Sequence, residues 1–476
     1  MNAEGLKKRH QRPDGGGGAA VPDGVGQSEK MAAGEMLHPG GPVKHGNYMQ
    51  ALRMFLFALY FFGSCCCILF SQLCGAWLYF ADQDLYYAYM AVTKQNFGLL
   101  ITTMTQWWSP TLVRVSGDAS VRGQLHQLPD GRLECDFPSR LILVANHQIY
   151  TDWLYLWWVA YTARMHGHIY IILKESLRWI PVIGQGMMFY GFVFLSRKWA
   201  TDKPRFMHRL RKLNSRHSGP MARAREEEEA AAEAEAEAAA DPKADRGPRK
   251  PSLDPMWLLI FPEGTNLSAN SRQASAKWAA KTAQEDMRHV LLPRSTGLMF
   301  CLEELKQTVE WVYDCTVAYE GIPRGQFGQD IFTLRSTYFE GRPPKSVNMH
   351  WRRFRTADIP SGDAPAFEAW LRARWREKDE LMETYVRVGR FPADDGEDGP
   401  EAGPAGMNGE ARANGGATGG PRAEKRGGKG AGYIETEVRP RNPVEVLQIF
   451  VPAVLGAWAL ARMAFLVVHR WRARRC

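Results

Sequence analysis

The chain alternates between long apolar runs and stretches too polar to fold, and this alternation predicts its main divisions. Residues 1–47 are polar and rich in glycine, so they bury little apolar surface and we expect a disordered tail without a cleavable signal peptide. From Met54 to Phe80 almost every residue is apolar, over a length that can span a bilayer. A buried core helix would also fit, but an uncharged run of this length is rare in soluble cores. The pattern therefore predicts membrane segments within residues 48–109.

In two further stretches the apolar pattern is less regular than in the first run. Phe97–Trp108 is amphipathic and ends in paired tryptophans, which suit the membrane interface and packing beneath a domain equally well. Residues 444–470 are mostly apolar, although they contain Pro452 and Arg462, and several arginines follow them. We interpret this stretch as a C-terminal membrane segment.

Between these segments the pattern is that of an α/β domain over residues 110–386. Short apolar runs are typical of buried strands, and helical periodicities separate them. The predicted strands are Leu141–Val144, Ile169–Leu173, Phe192–Leu195, Trp257–Phe261, Cys315–Tyr319 and Val347–Phe354. The predicted helices begin near Asp152 or cover Ser275–Val290, Gly297–Val309 and 365–386. Proline and glycine predict a turn rather than a helix at 179–186. Strands that alternate with helices indicate a largely parallel sheet.

Two segments lack a folding pattern. Residues 218–251 contain a run of glutamates and an alanine-glutamate stretch with no apolar face, so we expect a disordered acidic insertion within the domain. Residues 393–432 are rich in glycine and proline and predict a disordered linker. Neither segment contributes recognisable chemistry.

Composition narrows the class of partner. The formal net charge of +9 suits a membrane surface, an anionic substrate or a nucleic acid. No aromatic-basic nucleic-acid motif stands out, and the 16 tryptophans and long apolar runs favour the membrane. We therefore predict a membrane-lipid partner and no nucleic acid. The 8 cysteines have neither paired nor metal-type spacing, so we predict no disulfide framework and no metal site.

The first candidate chemistry lies directly after a predicted strand, in the segment Asn146–Asp152. An alcohol that attacks a carbonyl needs a base, and neutral His147 can take its proton. Asp152 can fix the tautomer of the imidazole and stabilise its charged form. Residues five apart diverge on a helix, so the two can pair only if His147 lies in the loop and Asp152 in the first helical turn. A loop histidine beside a helix cap explains the same residues equally well.

The second candidate is the segment Phe261–Thr265, at the end of another predicted strand. Pro262 fixes a turn, Gly264 lets the backbone approach a ligand and Thr265 adds a hydroxyl, so the turn can present N–H groups to a phosphate. An ordinary glycine turn is the alternative. Arg197 is a candidate phosphate clamp, although an isolated arginine usually marks a solvated strand end. No Gly-x-Ser-x-Gly elbow occurs, which favours direct attack by the substrate hydroxyl over an acyl-enzyme.

In this order the blocks resemble those of the membrane-bound glycerolipid acyltransferase family. That family carries Asn-His-(four residues)-Asp, Gly-x-x-Phe-Ile/Leu-x-Arg and Phe-Pro-Glu-Gly-Thr, matched here by Asn146–Asp152, Gly191–Arg197 and Phe261–Thr265. Asn266 stands where the family often has arginine. Three stretches, Leu292–Gly297, Tyr319–Gly321 and His350–Phe354, are similar to the branch of lysocardiolipin and lysophosphatidylinositol acyltransferases.

The resemblance implies an O-acyltransferase that moves a fatty acyl group from acyl-CoA to a glycerol hydroxyl of a lysophospholipid, such as lysophosphatidylinositol. It implies His147 as general base and Asp152 as its partner, with acyl-CoA as co-substrate and no metal or redox cofactor. Because Glu263 is an anion, we expect it to pair with a cation such as Arg197 or to hydrogen-bond the loop. The acceptor-binding residues implied by the resemblance are Asn146, Arg197, Phe261, Pro262, Glu263, Gly264 and Thr265.

Other functions and two topologies stay open. A lysophosphatidic acid acyltransferase, a CoA-independent transacylase and a non-catalytic membrane scaffold are the alternatives, and the intact motifs disfavour the scaffold. Lys44 and Arg53 before the first apolar run favour a cytosolic N-terminus, which after one crossing would leave the domain in the lumen. Acyl-CoA is cytosolic, however, and Asn266 opens a glycosylation sequon beside the site. We therefore expect an endoplasmic reticulum membrane protein with a cytosolic site, whose first run re-enters or pairs with Phe97–Trp108.

Overall fold

The continuous apolar runs of the sequence form the centre of one eight-stranded sheet. The computed structural model describes residues 38–196, 198–214, 253–394 and 432–473. The predicted insertion, Arg197 and most of the predicted tail and linker lie outside these residues. Within them, the predicted α/β fold class with a largely parallel sheet is confirmed.

The strands alternate with helices along the chain. The strands are β1 (Leu112–Gly117), β2 (Leu125–Gln127), β3 (Leu133–Cys135), β4 (Arg140–Ala145), β5 (Ile169–Lys174), β6 (Val193–Leu195), β7 (Met256–Ile260), β8 (Trp311–Tyr319), β9 (Ser346–Arg355) and β10 (Ile434–Glu437). The main sheet has the order β10-β1-β9-β8-β4-β7-β5-β6, and β2 and β3 form a separate hairpin. Neighbouring strands of the main sheet are parallel except for the pairs β1–β10 and β8–β9.

The helices begin before the domain and continue after it. They are α1 (Asn47–Gly75), α2 (Leu78–Ala81), α3 (Gln83–Trp108), α4 (Asp152–Thr162), α5 (Ile183–Phe189), α6 (Trp199–Leu213), α7 (Ala269–Lys281), α8 (Ser295–Leu305), α9 (Gly328–Ile331), α10 (Ala364–Val388) and α11 (Val451–Ala473). A 3₁₀ segment, Pro443–Ile449, leads into α11.

The central strands β4 and β7 are buried on both faces, which explains why their sequences lack polar alternation. Side chains of β4 alternate between two cores: Leu141 and Leu143 lie in one, Ile142 and Val144 in the other. The first core also contains side chains of α3 and α4, and the second contains side chains of α6, α7, α8 and α10. The sheet is therefore the middle of three layers.

The first apolar run and the amphipathic stretch after it form an antiparallel pair, α1 and α3. The Arg53 guanidinium donates to the carbonyl of Trp108 at 2.9 Å, and the Trp108 indole donates to the carbonyl of Arg53 at 3.2 Å. The start of α1 thus lies beside the end of α3. Leu100 and Ile101 are fully buried, so the stretch Phe97–Trp108 packs largely beneath the domain.

In the described chain, two helical stretches are long and apolar enough to cross a membrane, Asn47–Ala81 and Pro443–Arg472. Both expose large apolar side chains, among them Phe55, Phe80, Trp458 and Phe465. A contiguous apolar surface of this kind is unfavourable in water and favourable in a bilayer. The two stretches therefore indicate a membrane protein.

The structure differs from the sequence prediction at 179–186, where proline and glycine predict a turn throughout. Helix α5 begins at Ile183, directly after Val182, whose φ is +66°. A Cβ on Gly184 would lie 2.1 Å from the carbonyl oxygen of Arg178. The glycine therefore permits close packing of the helix rather than breaking it.

Other elements also correct the prediction. The helix expected at Ser275–Val290 lies earlier, because a capping box between Ser268 and Ser271 starts α7 at Ala269. The stretch after α7 is a loop. The predicted strands lack the hairpin of β2 and β3. They also lack β1 and β10, which pair with each other, and β1 also pairs with β9.

A buried ion cluster joins helix α10 to the sheet. The Lys378 ammonium is fully buried and donates to Asp314 at 2.6 Å, to the Cys315 carbonyl at 2.8 Å and to the Thr316 hydroxyl at 3.1 Å. Arg352 donates to the second oxygen of Asp314 at 2.8 Å. A buried charge needs such partners, because removing an unpaired charge from water is strongly unfavourable.

Replacing Lys378 by methionine should lower the free energy of unfolding by about 3 kcal/mol, since it leaves Asp314 with one cation fewer in a buried site. Urea unfolding of the full chain in detergent measures this change. Lys277→Met, at an exposed position of α7, is the matched control and should shift the midpoint little. Equal effects of the two substitutions would contradict a stabilising role for the cluster.

Candidate active site

The two sequence motifs meet at one edge of the sheet, because they follow the neighbouring parallel strands β4 and β7. The carboxyl ends of parallel strands share an edge, and ligands of open α/β sheets bind there. The backbone N–H of Leu267 donates to the carbonyl of His147 at 2.7 Å, which ties the two segments together. The edge is thus a single site.

His147 and Asp152 adopt the arrangement that their spacing requires. His147 lies in the loop after β4, and Asp152 is the first residue of α4. His147 Nδ1 lies 2.8 Å from Asp152 Oδ2. The carboxylate oxygen also accepts two backbone N–H groups, so Nδ1 is the donor in this pair. Nε2 is then the nitrogen that can take a proton from a ligand.

The Asp152 carboxylate is completely buried and receives hydrogen bonds from both sides. The backbone N–H groups of Gln148 and Ile149 donate to Oδ2 at 2.6 and 3.0 Å, and the Tyr319 hydroxyl donates to Oδ1 at 2.5 Å. Burial and the nearby Asp152 charge raise the pKa of Tyr319 well above its usual value, so the phenol keeps its proton. The carboxylate therefore has a fixed position and orientation.

Tyr319 is a site residue that sequence reasoning missed. The sequence contains it only in a stretch similar to one branch of the family, and no spacing rule connects it to Asp152. It comes close because β8 runs parallel to β4 and extends beyond it at the same edge. A tyrosine at the end of a predicted central strand is the signal that could have identified it.

Asn146, predicted to contact the substrate, lies behind the base. Its side chain is fully buried, donates to the carbonyl of Val317 at 2.9 Å and accepts from the N–H of Val317 at 2.8 Å. The amide thus continues the pairing of β4 with β8 past the last strand residue. In this structure Asn146 positions His147, and a direct substrate contact stays a prediction.

The segment Phe261–Thr265 forms the predicted turn. Gly264 has φ of +73°, a conformation that favours glycine, and its N–H donates to the carbonyl of Phe261 at 2.9 Å. The Phe261 ring stacks on the imidazole of His147 with a centroid distance of 4.4 Å. Pro262 is buried, whereas Gly264 is exposed and Thr265 half-buried. The turn therefore contacts His147 through Phe261 and leaves Gly264 accessible to a ligand.

Glu263 points away from the ligand side into the protein. It is 2 % exposed and accepts a hydrogen bond from the Trp375 indole at 3.4 Å. Burial raises the pKa of its carboxyl to about 8, and the Trp375 hydrogen bond and the Lys378 charge offset only part of this effect. Its predicted pairing with Arg197 falls outside the described residues.

Arg294 is a second residue that sequence reasoning left without a role. Its N–H donates to the carbonyl of Pro262 at 2.8 Å, and its exposed side chain lies over Gly264. A Cβ on Gly264 would be 3.5 Å from Cδ and Nε of this arginine. A guanidinium beside an exposed turn is suited to an anionic ligand.

The loop that carries Arg294 is fastened on both sides. The Gln148 side chain donates to the carbonyl of His289 at 3.0 Å. From the other side, the Asp379 carboxylate of α10 accepts the N–H groups of Arg288, His289 and Val290 at 2.9, 2.6 and 3.2 Å. The base and the arginine are thus held in one network.

Of the described residues, none form a group of three or more His, Cys, Asp or Glu side chains that could hold a metal ion. A loop histidine oriented by a buried carboxylate is suited to take a proton from an alcohol.

Comparison with known proteins agrees with this class. The family described as "Acyltransferase" matches residues 124–320, and "Acyltransferase C-terminus" matches 337–407. A Saccharomyces cerevisiae relative named 2-acyl-1-lysophosphatidylinositol acyltransferase is 39% identical over 349 residues, which are 71% of this chain and 85% of the relative. The chain therefore belongs to the glycerolipid acyltransferase family.

More distant relatives carry other substrate names. Lysocardiolipin acyltransferase 1 of Danio rerio is 28% identical over 252 residues, 52% of this chain and 53% of that protein. A probable 1-acyl-sn-glycerol-3-phosphate acyltransferase 5 of Arabidopsis thaliana is 28% identical over 53% of this chain and 56% of its own length. No solved structure matches the chain.

Replacing Glu263 by glutamine should flatten the pH dependence of stability. The pKa of Glu263 in the folded state, about 8, lies above the usual 4.5. Proton binding to Glu263 therefore stabilises the folded state fully below pH 4.5, and this stabilisation is lost as the pH rises through 8. Between pH 7 and 9 the wild type should lose about 1.4 kcal/mol that the glutamine variant keeps. Thermal unfolding across this range measures the difference.

The matched control is Glu303→Gln, at an exposed position of α8. This variant should follow the wild-type profile. A Glu263→Gln profile parallel to that of the wild type would show that Glu263 is ionised throughout the range.

Proposed function

We propose that the protein transfers a fatty acyl group from acyl-CoA to a free glycerol hydroxyl of a lysophospholipid, with lysophosphatidylinositol as the preferred acceptor. The observation that carries the proposal is the His147–Asp152 pair at the sheet edge, 2.8 Å apart and held by Tyr319. Membership of the acyltransferase family supports the reaction class, and the name of the 39% identical relative supports the headgroup.

The reaction follows from the roles that the geometry allows. His147 Nε2 removes the proton of the glycerol hydroxyl as its oxygen attacks the thioester carbonyl of acyl-CoA. The Asp152 carboxylate stabilises the imidazolium, because the acceptor Oδ2 faces Nδ1. When the tetrahedral intermediate collapses, the C–S bond breaks and the proton on His147 passes to the CoA sulfur. The products are a phospholipid and free CoA.

The acceptor phosphate is assigned to the turn at Gly264. A phosphodiester there would meet the exposed Gly264 backbone and the guanidinium of Arg294. Pro262 and Glu263 are buried, so they shape the turn without contacting the lipid. Arg197 follows β6 and is proposed as a second cation for the same phosphate.

The active site is proposed to face the cytosol at the endoplasmic reticulum membrane. The antiparallel pair of α1 and α3 supports this, because both of its ends return to the domain at Arg53 and Trp108. Such a pair enters and leaves the membrane on one side. The half-buried Asn266 side chain of the sequon donates a hydrogen bond to Gln329, and a glycan on this nitrogen would interfere with that contact.

Replacing His147 by alanine should lower acyl transfer at least about a hundredfold, because general-base catalysis contributes that much or more. The assay uses membranes with labelled acyl-CoA and separate lysophosphatidylinositol, lysophosphatidic acid and lysocardiolipin acceptors. His208→Ala, exposed on α6, is the control and should keep full activity.

Full activity of His147→Ala would overturn the assignment of the base. A preference for lysophosphatidic acid would overturn the acceptor part of the proposal and leave the reaction class intact. Transfer from a labelled phospholipid without acyl-CoA would replace the donor.

Replacing Arg294 by glutamine should raise KM for the lysophospholipid about tenfold, since a charge-assisted contact to phosphate is lost. KM for acyl-CoA and kcat should change little. Arg288→Gln removes an exposed charge from the same loop, away from Gly264, and should leave KM unchanged. Equal KM values for Arg294→Gln and wild type would remove Arg294 from the acceptor site.

A further inference from the structure

A polar cavity lies at the opposite end of helix α4 from His147. Helix α4 starts at Asp152 and ends at Thr162, and a helix of this length spans about 16 Å. The cavity has a volume of about 120 Å³ and opens beside a wider depression of about 400 Å³. Glu134, Thr162 and Arg164 line both spaces, so together they form one groove, the α4-end groove.

Arginines dominate the charge of this groove. Arg132, Arg164, Arg439 and Arg441 line the groove, against the three carboxylates Glu134, Asp136 and Glu437. Two of these arginines form ion pairs with carboxylates outside the lining. Arg132 pairs with Asp130 at 2.5 Å, and Arg441 pairs with Glu445 at 3.4 Å. The lining therefore has four guanidinium groups against three carboxylates, and the planar donors of guanidinium match phosphate oxygens.

One polar group in the wall lacks a partner. Thr436 is 4 % exposed and lines the cavity, and its hydroxyl has no hydrogen-bond partner within the described part of the chain. Along β10 the buried positions are Ile434 and Thr436. An apolar residue would suit an empty wall better, because a buried hydroxyl without a partner is unfavourable. A ligand acceptor in the cavity would satisfy it.

Arg164 reaches the groove from an uncommon backbone conformation. Its φ is +59°, in the left-handed region at the end of α4, where glycine is the usual residue. Its N–H donates to the Tyr161 carbonyl at 3.1 Å, and the N–H of Met165 donates to the Ala160 carbonyl at 2.6 Å. These hydrogen bonds satisfy two carbonyls at the end of α4. They therefore reduce the repulsion that the partial negative charge of the helix end exerts on a bound anion.

The groove also adjoins the membrane segment. The wall from Thr436 to Arg441 is followed directly by the 3₁₀ segment Pro443–Ile449 and by α11. The Arg441 guanidinium lies 4.4 Å from the centre of the Tyr161 ring, and the Tyr161 hydroxyl donates to Glu445 at 2.5 Å. A group bound in the groove would thus rest near the lipid surface.

We propose that the α4-end groove binds a phosphate group, carried by an anionic phospholipid headgroup or by a soluble phosphate compound, at a site separate from the acyltransfer site. The arginines supply the charge, the Thr436 hydroxyl supplies a further hydrogen bond, and the volume admits a phosphate, since about 10–15 Å³ already holds one water. Binding there stabilises the packing of the segment before α11 against α4.

The test is thermal unfolding of the full chain, followed by the exposure of the buried thiols Cys301 and Cys315, which lie outside the groove, to a thiol-reactive dye. In one arm, inorganic phosphate is compared with chloride at equal ionic strength in nonionic detergent. In the other, nanodiscs of phosphatidylcholine are compared with nanodiscs in which one lipid in five is phosphatidylinositol. We expect the midpoint to rise by roughly 3 °C in at least one arm.

The two arms distinguish the sources. A rise with inorganic phosphate alone supports a soluble phosphate compound, and a rise with phosphatidylinositol alone supports a headgroup. The rise should survive Arg294→Gln, which alters the acyltransfer site only. No rise in either arm, or a rise abolished by Arg294→Gln, overturns the proposal.

Three variants connect the rise to the groove. Thr436→Val and Arg164→Gln should each lose at least half of it, whereas Arg376→Gln, at an exposed position of α10, should keep it. Without ligand, Thr436→Val and Arg164→Gly should unfold at the wild-type midpoint or above, because the first removes an unpartnered hydroxyl and the second relieves a left-handed arginine. A full rise in both Thr436→Val and Arg164→Gln overturns the proposal.

Discussion

The buried carboxylate of Asp152 holds four groups from two parts of the fold, the loop after β4 and the end of β8. It receives the imidazole of His147, two backbone N–H groups of the loop after β4 and the hydroxyl of Tyr319 from β8. Together the donors fix the loop after β4 and the end of β8 relative to the start of α4. The loop cannot change its conformation without leaving a buried anion short of partners, which is strongly unfavourable. The orientation of the base is therefore a property of the whole sheet edge.

A single helix supports the ligand side of the same edge from below. Along α10, Trp375 donates to Glu263, Lys378 pairs with Asp314 within β8, and Asp379 accepts three backbone N–H groups of the loop that carries Arg294. These residues lie three and four positions apart or adjacent, so one helix face and its flank present them together. The side of the site that we propose to bind phosphate thus depends on a helix to which the proposed reaction assigns no catalytic residue.

Short motifs with strong local constraints could be predicted from the sequence, and long-range partners could not. The strand-loop-helix order around His147 and the turn at Gly264 follow from residue types and spacing, and both have the expected geometry. Tyr319 and Arg294 are far from the motifs along the chain, so only the sheet order reveals them. Strand β10 is short and mostly polar, and its sequence carries too weak a pattern to predict an edge strand. Gly184 contributed to the prediction of a turn, whereas in the structure it allows α5 to pack closely against the backbone of Arg178.

Strand β10 has a consequence for how the chain tolerates cleavage. It lies beyond residues 395–431 in the sequence, yet it covers the free edge of β1 along the whole register from Leu112↔Glu437 to Val115↔Ile434. A chain cut within 395–431 would keep both strands of this ladder, so its two pieces would remain associated as complementing fragments. Removal of everything after the cut would instead leave β1 as an unprotected edge, and exposed edges invite pairing with other chains. The covalent connection is dispensable there, whereas the short strand is not.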